Sequence, residues 1–261
     1  MKCGIDNQQL SELFKPIQTC IKIKILNLSE NNFNKSEEGS IKLASTLKHL
    51  DELEVIALNN CLIGSEGIKR ILESLKNKLF LSEIYMASND ITETASIFFK
   101  YDFEKYFQPL KNLSLANNVL KENGAEYLSY FIRNKINLQY LRIGGNKIKV
   151  KGLGLIINSL KGKGKVKDLD FGNNDLYDEG AKLIENYLEQ SNHSLEYLNI
   201  MKNEISEQRI IAILSILKRQ PVQCKINVFG NRARDENIQK FFTSPNHPPS
   251  KNPSPSNIPN I

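Results

Sequence analysis

Several things are scarce or missing in this chain of 261 residues. Cysteine is sparse: Cys3, Cys20, Cys61 and Cys224 stand far apart, with no C-x-x-C pair and no histidine at metal-ligand spacing. Such scatter speaks against a disulfide framework or a zinc site and for reduced thiols in a cytoplasmic or nuclear protein. Histidine is limited to His49, His193 and His247. There is no H-E-x-x-H, no G-x-S-x-G and no G-x-G-x-x-G, so the metalloprotease, serine-hydrolase and dinucleotide signatures are excluded. We expect no catalytic residue, no metal and no cofactor, and a protein that is not an enzyme. The opening MKCGIDNQQL lacks the apolar stretch of a secretory signal. The longest apolar run, Ile210 to Leu217, is broken by Ser215 and falls short of the roughly 20 residues a membrane helix needs. Sequons at Asn27, Asn112 and Asn192 are what chance supplies in a chain this rich in Asn.

What is present is ordinary in amount and unusual in arrangement. Hydrophobic residues make up 40% and charged residues 25%, enough for a sizeable core and a soluble surface. The formal charge is 35 − 29 = +6, a mild preference for acidic partners that does not by itself imply nucleic acid. One pattern, L-x-x-L-x-L-x-x-N-x-L, runs through the chain as IKILNLSENNF, LEVIALNNCLI, LSEIYMASNDI, LKNLSLANNVL, LQYLRIGGNKI, VKDLDFGNNDL, LEYLNIMKNEI and a worn QCKINVFGNRA. Its Asn slot is occupied by Asn31, Cys61, Asn89, Asn118, Asn146, Asn174, Asn203 and Asn231, at steps of 30, 28, 29, 28, 28, 29 and 28 residues. Chance does not keep such spacing, and a fixed period of this length marks a stacked array.

Each unit continues in the same way. A glycine follows the Asn slot by six residues at Gly67, Gly124, Gly152 and Gly180, and by eight at Gly39. Apolar residues then recur at helical spacing, as in Ile68, Ile71, Leu72 and Leu75. The unit is therefore one short strand, a turn and one amphipathic helix. A single such unit cannot bury its apolar faces, whereas stacked neighbours share a continuous core. Eight parallel strands centred near residues 26, 56, 84, 113, 141, 169, 198 and 226 are expected in one curved sheet with the helices outside. The Asn side chain suits a slot where a turning backbone leaves polar groups unpaired, and Cys61 is a small substitute there.

The period, the Leu-Leu-Leu-Asn core and the E-x-G or G-A before each helix resemble the ribonuclease-inhibitor type of leucine-rich repeat, over about Ile23 to Ala233. The resemblance implies an α/β solenoid, a horseshoe with a parallel inner sheet, and a protein-binding role for its concave face. It fixes architecture better than partner. Residues 1–22 are read as an N-terminal helical cap, with Leu10, Leu13, Phe14 and Ile17 at helical spacing and Pro16 bending or ending the helix. Residues 23–243 form the repeat domain with its C-terminal cap, to which Ile238, Phe241 and Phe242 contribute. Residues 244–261, rich in Pro, Ser and Asn, are expected to be a disordered tail.

Two places depart from the pattern. The third repeat carries Ala95 at the glycine slot and reads ASIFFKYDFEKYF. Alignment puts Phe99 and Phe103 in the core and leaves over Phe98, Tyr101, Tyr106 and Phe107, to be absorbed by local repacking or to form an outer aromatic patch. Around the fifth helix lie Lys147, Lys149 and Lys151, then Lys161, Lys163, Lys165 and Lys167. We read these as solvated. They form no P-loop and interleave with no stacking aromatics.

The outward strand positions locate a candidate site. In the second half of the array they carry Tyr140, Arg142, Asp168, Asp170, Tyr197, Asn199, Met201 and Phe229, against smaller polar residues in the first half. Tyr and Arg are enriched at binding hot spots, and Gly144 and Gly172 are expected to leave backbone open to close approach. Asp168 with Asp170 suits a charged patch better than acid–base catalysis. A non-enzymatic scaffold that binds a protein partner, as a monomer and without small-molecule substrate, nucleic acid or membrane, is the expectation. The alternative is a GTPase activator of the Ran type, which shares this kind of repeat but is typically followed by a strongly acidic segment that this sequence replaces with a Pro/Ser/Asn tail.

Overall fold

The computed structural model describes residues 7–20, 22–33, 37–103, 105–190, 194–220, 222–233 and 238. The tail at 244–261 and the cap residues Phe241 and Phe242 lie outside the described residues, as does the side chain of Leu10.

Eight strands stand where the spacing puts them: β1 Ile25–Asn27, β2 Val55–Ala57, β3 Glu83–Tyr85, β4 Asn112–Ser114, β5 Tyr140–Arg142, β6 Asp168–Asp170, β7 Tyr197–Asn199 and β8 Lys225–Asn227. They form one parallel sheet in chain order, β1 to β8. The register is strict, so the first, second and third residues of every strand line up across the sheet, as in Tyr140↔Asp168 and Asp168↔Tyr197. The helices are α1 Asn7–Thr19, α2 Glu37–Leu47, α3 Gly64–Leu75, α4 Phe98–Tyr101, α5 Lys121–Arg133, α6 Lys149–Leu160, α7 Tyr177–Gln190 and α8 Glu207–Arg219. The strand centres from Leu26 to Leu198 and the apolar helix stripes bury into a single core running along the array. This is an α/β leucine-rich repeat horseshoe. Helix α1 packs against α2 with Phe14 buried, and Gln18 Nε2 donates to Thr46 Oγ1 at 3.2 Å. Pro16 does not end α1, which runs on to Thr19.

Successive units are riveted by the Asn slot. Asn146 is fully buried; its Nδ2 donates to Leu115 O (2.9 Å) in the preceding repeat and to Ile143 O (3.0 Å) in its own. Its own backbone N–H donates to Asn174 Oδ1 at 3.0 Å. Asn89, Asn118, Asn174, Asn203 and Asn231 repeat this two-way bonding with the unit before. No repeat precedes Asn31 among the described residues, and its buried Oδ1 has no partner among them. Cys61 Sγ donates to Leu28 O at 3.1 Å, but a thiol has no amide oxygen with which to return the second half of the rung. Burial pushes the Cys61 thiol up to about 11, which makes it a poor nucleophile.

A second feature recurs beside each rung. The residue just before the Asn slot has positive φ in all eight repeats: Glu30, Asn60, Ser88, Asn117, Gly145, Asn173, Lys202 and Gly230. Gly and Asn, which fill five of these positions, enter left-handed backbone readily, whereas at Glu30, Ser88 and Lys202 it costs about 1–2 kcal/mol, so there the turn is held by its surroundings rather than by local preference. Gly145 is under an added constraint, because a Cβ there would lie 2.3 Å from Asn117 Oδ1.

Of the lysines read as solvated around the fifth helix, Lys149, Lys163, Lys165 and Lys167 make polar contacts with neighbouring repeats, and Lys163 belongs to a recurring set. Lys78, Lys135, Lys163 and Gln220 each stand five residues before a strand. Lys78 Nζ donates to Lys48 O (2.8 Å), Lys163 Nζ to Arg133 O (2.8 Å) and Gln220 Nε2 to Leu188 O (3.1 Å). Each therefore caps the unpaired carbonyls at the end of the preceding helix, where a cation is also favoured by the helix dipole. Lys135 is fully buried, with its Nζ 4.4 Å from the Phe131 ring centroid. Lys149 and Lys167 pair with Glu122 and Glu196.

The third repeat does not form the expected helix. It has a 3-10 turn at Ala95–Ile97 followed by the four-residue α4. The glycine slot explains part of this: in the fourth repeat a Cβ at Gly124 would lie 2.9 Å from Leu120 Cβ, a clash that Ala95 would bring to the regular geometry. The aromatics fill the space. Phe98 and Phe107, left over by alignment, are buried with Phe99 and Phe103 and join Phe131 in a chain of rings with centroids 4.6–6.1 Å apart. Tyr106 packs against the core, and only Tyr101, 69% exposed, remains outside. No outer patch of all four aromatics exists.

Candidate binding face

The alternation of a strand sends its first and third residues to the face opposite the helices. On that face the strict register places Tyr140, Asp168 and Tyr197 side by side in one row and Arg142, Asp170 and Asn199 in the next. Met201 and Phe229 follow one column further along, Met201 half-buried and Phe229 62% exposed. All eight residues picked out by sequence are thus brought to one part of one surface. Adjacent strands lie about 4.8 Å apart, so Tyr140 and Tyr197 are separated by roughly 10 Å.

Several of these side chains are committed to one another. Arg142 Nη2 donates to Asp168 Oδ2 at 2.8 Å. Asp170 Oδ1 accepts from the Gly172 N–H (2.9 Å) and from Asn199 Nδ2 (2.8 Å). Asn199 Oδ1 accepts from the Met201 N–H at 3.1 Å, and Asn227 Nδ2 points to Met201 Sδ at 3.5 Å. Burial raises the Asp170 carboxyl above its ordinary value, opposed by the Gly172 N–H, while the neighbouring Asp168 charge adds to the rise. Tyr197 is raised by burial and by the two aspartates. The arrangement is prefolded, and a partner would meet a network already in place.

One expectation needs correction. Gly144 and Gly172 do not leave open backbone: both are buried, and a Cβ at Gly144 would lie 2.8 Å from Asp170 Oδ1, one at Gly172 2.9 Å from Met201 Cγ. Glycine is required there so that the neighbouring strands' side chains can lie down over the sheet. Arg142 of the adjacent strand holds one oxygen of Asp168, Oδ2.

Sequence reasoning also drew the patch too narrowly. Tyr85 OH donates to Glu83 Oε2 and accepts from Asn112 Nδ2, each at 2.6 Å. Burial, then Glu83, push the Tyr85 hydroxyl well above its ordinary value, and Arg142 pulls the other way. Polar contacts between outward side chains therefore occur in separate groups from β3 to β8. Glu83, Tyr85 and Asn112 occupy the same outward columns as the chosen residues and could have been found by weighing each column across the array.

The strands and helices place the chain among known architectures, and sequence comparison agrees. The Leucine Rich repeat family profile matches residues 165–184 and 191–207. NACHT, LRR and PYD domains-containing protein 4C of Mus musculus is 26% identical over 216 residues, covering 82% of this chain and 21% of that protein. NACHT, LRR and PYD domains-containing protein 13 of Homo sapiens is 29% identical over 131 residues, 50% of this chain and 12% of that protein. FERM domain-containing protein C of Dictyostelium discoideum is 28% identical over 198 residues, 72% of this chain and 12% of that protein. The chain spans about a fifth or less of the length of these relatives. No helix among the described residues is long and apolar enough to cross a membrane. With the repeat visible in sequence, the parallel sheet in structure and the repeat in its relatives, the chain is a leucine-rich repeat protein.

Proposed function

We propose that this protein is a non-enzymatic interaction module that binds a protein partner through the C-terminal half of its concave face. The observation that supports this reading is the in-register grouping of Tyr140, Arg142, Asp168, Asp170, Tyr197, Met201 and Phe229 on adjacent strands. Tyrosine offers large contact area at small entropic cost, and Phe229 stands exposed at the edge of the network. The preformed hydrogen bonds reduce the ordering that binding would otherwise require. The ribonuclease-inhibitor type of repeat, a monomeric state and a cytoplasmic or nuclear setting belong to the same proposal. The relatives give no support to the GTPase-activator alternative.

The test begins with proximity labelling in the native organism to supply a partner, followed by binding to purified variants of checked fold. Tyr140→Ala with Tyr197→Ala is expected to weaken binding at least about tenfold, or 1.4 kcal/mol. Ile25→Ala with Asn27→Ala, exposed at the other end of the same face, is expected to change it little. Equal binding by the two variants would move the site elsewhere.

A further inference from the structure

The two rims of the horseshoe differ in charge. The seven residues leading into β3, β4, β5 and β6 read KNKLFLS, KYFQPLK, RNKINLQ and KGKGKVK. They hold ten Lys or Arg and no Asp or Glu, a formal +10. The seven residues after the Asn slots of the same four repeats read DITETAS, VLKENGA, KIKVKGL and DLYDEGA. These hold four lysines and six carboxylates, 4 − 6 = −2. All the strands run parallel, so the first set lines one rim and the second set the other. Asp51 and Glu196, from the flanking units, neutralise Lys78 and Lys167. Other cations are held by neutral groups, which leaves their charge in place. Lys163 Nζ donates to Arg133 O, Lys165 Nζ donates to Asn137 Oδ1, and Lys76 Nζ lies 5.0 Å from the Phe103 ring centroid.

The same basic rim exposes large apolar side chains. Leu79 is 77% and Phe80 59% exposed ahead of β3, and Ile136 is 69% exposed ahead of β5. Leu79 and Ile136 hold the same place, four residues before their strands and two repeats apart. In the loop between them, half-buried Pro109 stands at the position of Phe80. Exposed apolar residues scattered singly need no explanation, but a group of them on one edge marks a contact surface.

We propose that this rim docks the protein onto an anionic lipid bilayer, with Leu79, Phe80 and Ile136 entering the interface and the surrounding lysines facing the headgroups. Stable attachment to a membrane surface takes two signals, apolar insertion and a basic patch, and both coincide here. Cations tied to carbonyls and rings supply a fixed positive field rather than free hydrogen-bond donors. Such a field suits a diffuse negative surface better than a protein partner matched bond by bond. The apolar tips project from loops along one sheet edge, so they can meet a plane together. Nucleic acid fits less well, because Leu79 and Ile136 would gain nothing there. Phe80 is the one exposed ring in these four loops, so no stacking platform repeats along the rim. The expectation of no membrane rested on the lack of an apolar span, which surface attachment does not need. Docking by this rim leaves the concave face clear, so the two sites can be tested apart.

The experiment is flotation of the full chain with vesicles of phosphatidylcholine alone and of equal parts phosphatidylcholine and phosphatidylserine. Binding to the anionic vesicles is expected to be at least about tenfold tighter and to weaken with added salt. Leu79→Ser with Ile136→Ser alters only exposed side chains and should lower that binding at least about tenfold. Lys111→Glu with Lys161→Glu should abolish it. Lys147→Glu with Lys151→Glu makes the same change in net charge on the other rim and should leave most of it. Retained melting temperature confirms the fold of each variant. The chain has no tryptophan, so Phe80→Trp gives a single reporter whose emission should move to the blue on anionic vesicles. Phe229→Trp, on the concave face, should not respond. Equal binding to the two kinds of vesicle, unchanged binding by the Leu79 and Ile136 double variant, or equal losses in the two charge-reversal pairs would each overturn the proposal. A blue shift confined to Phe229→Trp would do the same. Salt-sensitive binding to an oligonucleotide or an acidic peptide, with none to vesicles, would assign the rim to that partner instead.

Discussion

In the fifth repeat, Asn146 closes its rung in both directions and α6 runs twelve residues without interruption. In the second repeat the rung is a thiol that donates but cannot accept through an amide oxygen, and in the third the helix is reduced to a short turn and a single α-helical turn. In the third repeat, aromatic packing through Phe98, Phe99, Phe103 and Phe107 stands in for the missing helix. The second half is held by regular rungs and regular helices. The same division is visible on the concave face, where the grouped tyrosines, Arg142 and the aspartates stand on the regular half. A binding constellation is positioned more accurately on rigid elements, and the regular half provides them.

The comparison can be broken most forcefully at the ring cluster. Phe99→Ala is expected to destabilise by about 3–5 kcal/mol, as truncation of a buried aromatic does, read from urea unfolding. A loss below about 1 kcal/mol, the range of a tolerated core swap, would show that the rings do not replace the missing helix. Next comes the ladder of the regular half. Asn146→Leu takes one of two donors from each of the carbonyls of Leu115 and Ile143 and removes the acceptor of the Leu120 N–H, and is expected to cost about 1–3 kcal/mol; an unchanged urea midpoint would mean that the rung is dispensable.

The irregular half can instead be repaired. Cys61→Asn gives the second rung the oxygen it lacks, and the two side chains are similar in size, so the midpoint should rise by the equivalent of about 1 kcal/mol. A fall of that size would show that the thiol is retained for packing. The smallest effect expected is electrostatic. The Asp170 carboxyl is raised in the folded state by burial and by Asp168, so the native state binds its proton more readily than the unfolded chain. Its contribution improves as the pH falls from neutral to about pH 4 and worsens as the pH rises. The difference in urea midpoint between the natural protein and Asp170→Asn should therefore shift in favour of the natural protein on acidification. The opposite drift would place the carboxylate in a stabilising rather than a costly environment.

How much of this was legible beforehand depends on whether a feature is periodic. The strand centres, the parallel order and the Asn slots follow from spacing alone, because a unit that cannot bury its own faces must stack in register upon its neighbours. The eight face residues were found for the same reason: outward positions on a strict register are countable. The inter-repeat caps Lys78, Lys163 and Gln220 also stand five residues before a strand, but Leu50 and Phe107 interrupt that slot, and Lys163 reads as solvated. Lysine buries its stem and reaches a carbonyl with its tip.

What the chain determines by itself is thus the repeat, the sheet and the identity of the residues that share a face, since each depends on local period and on burial of a shared core. What only the tertiary structure decided are contacts between units whose partners lie 26 to 33 residues apart. Alignment assigned two phenylalanines to the core, and packing took four. Gly144 and Gly172 suggested bare backbone, and side chains of the neighbouring strands cover it. Asp168 and Asp170 read as a pair of equivalent acids. Arg142 takes one oxygen of the first, Gly172 and Asn199 hold one oxygen of the second, and a single buried oxygen on Asp168 is left unpaired. Hydrogen bonds and steric fit depend on distances of a few tenths of an ångström between side chains remote in sequence, and no one-dimensional pattern carries that information.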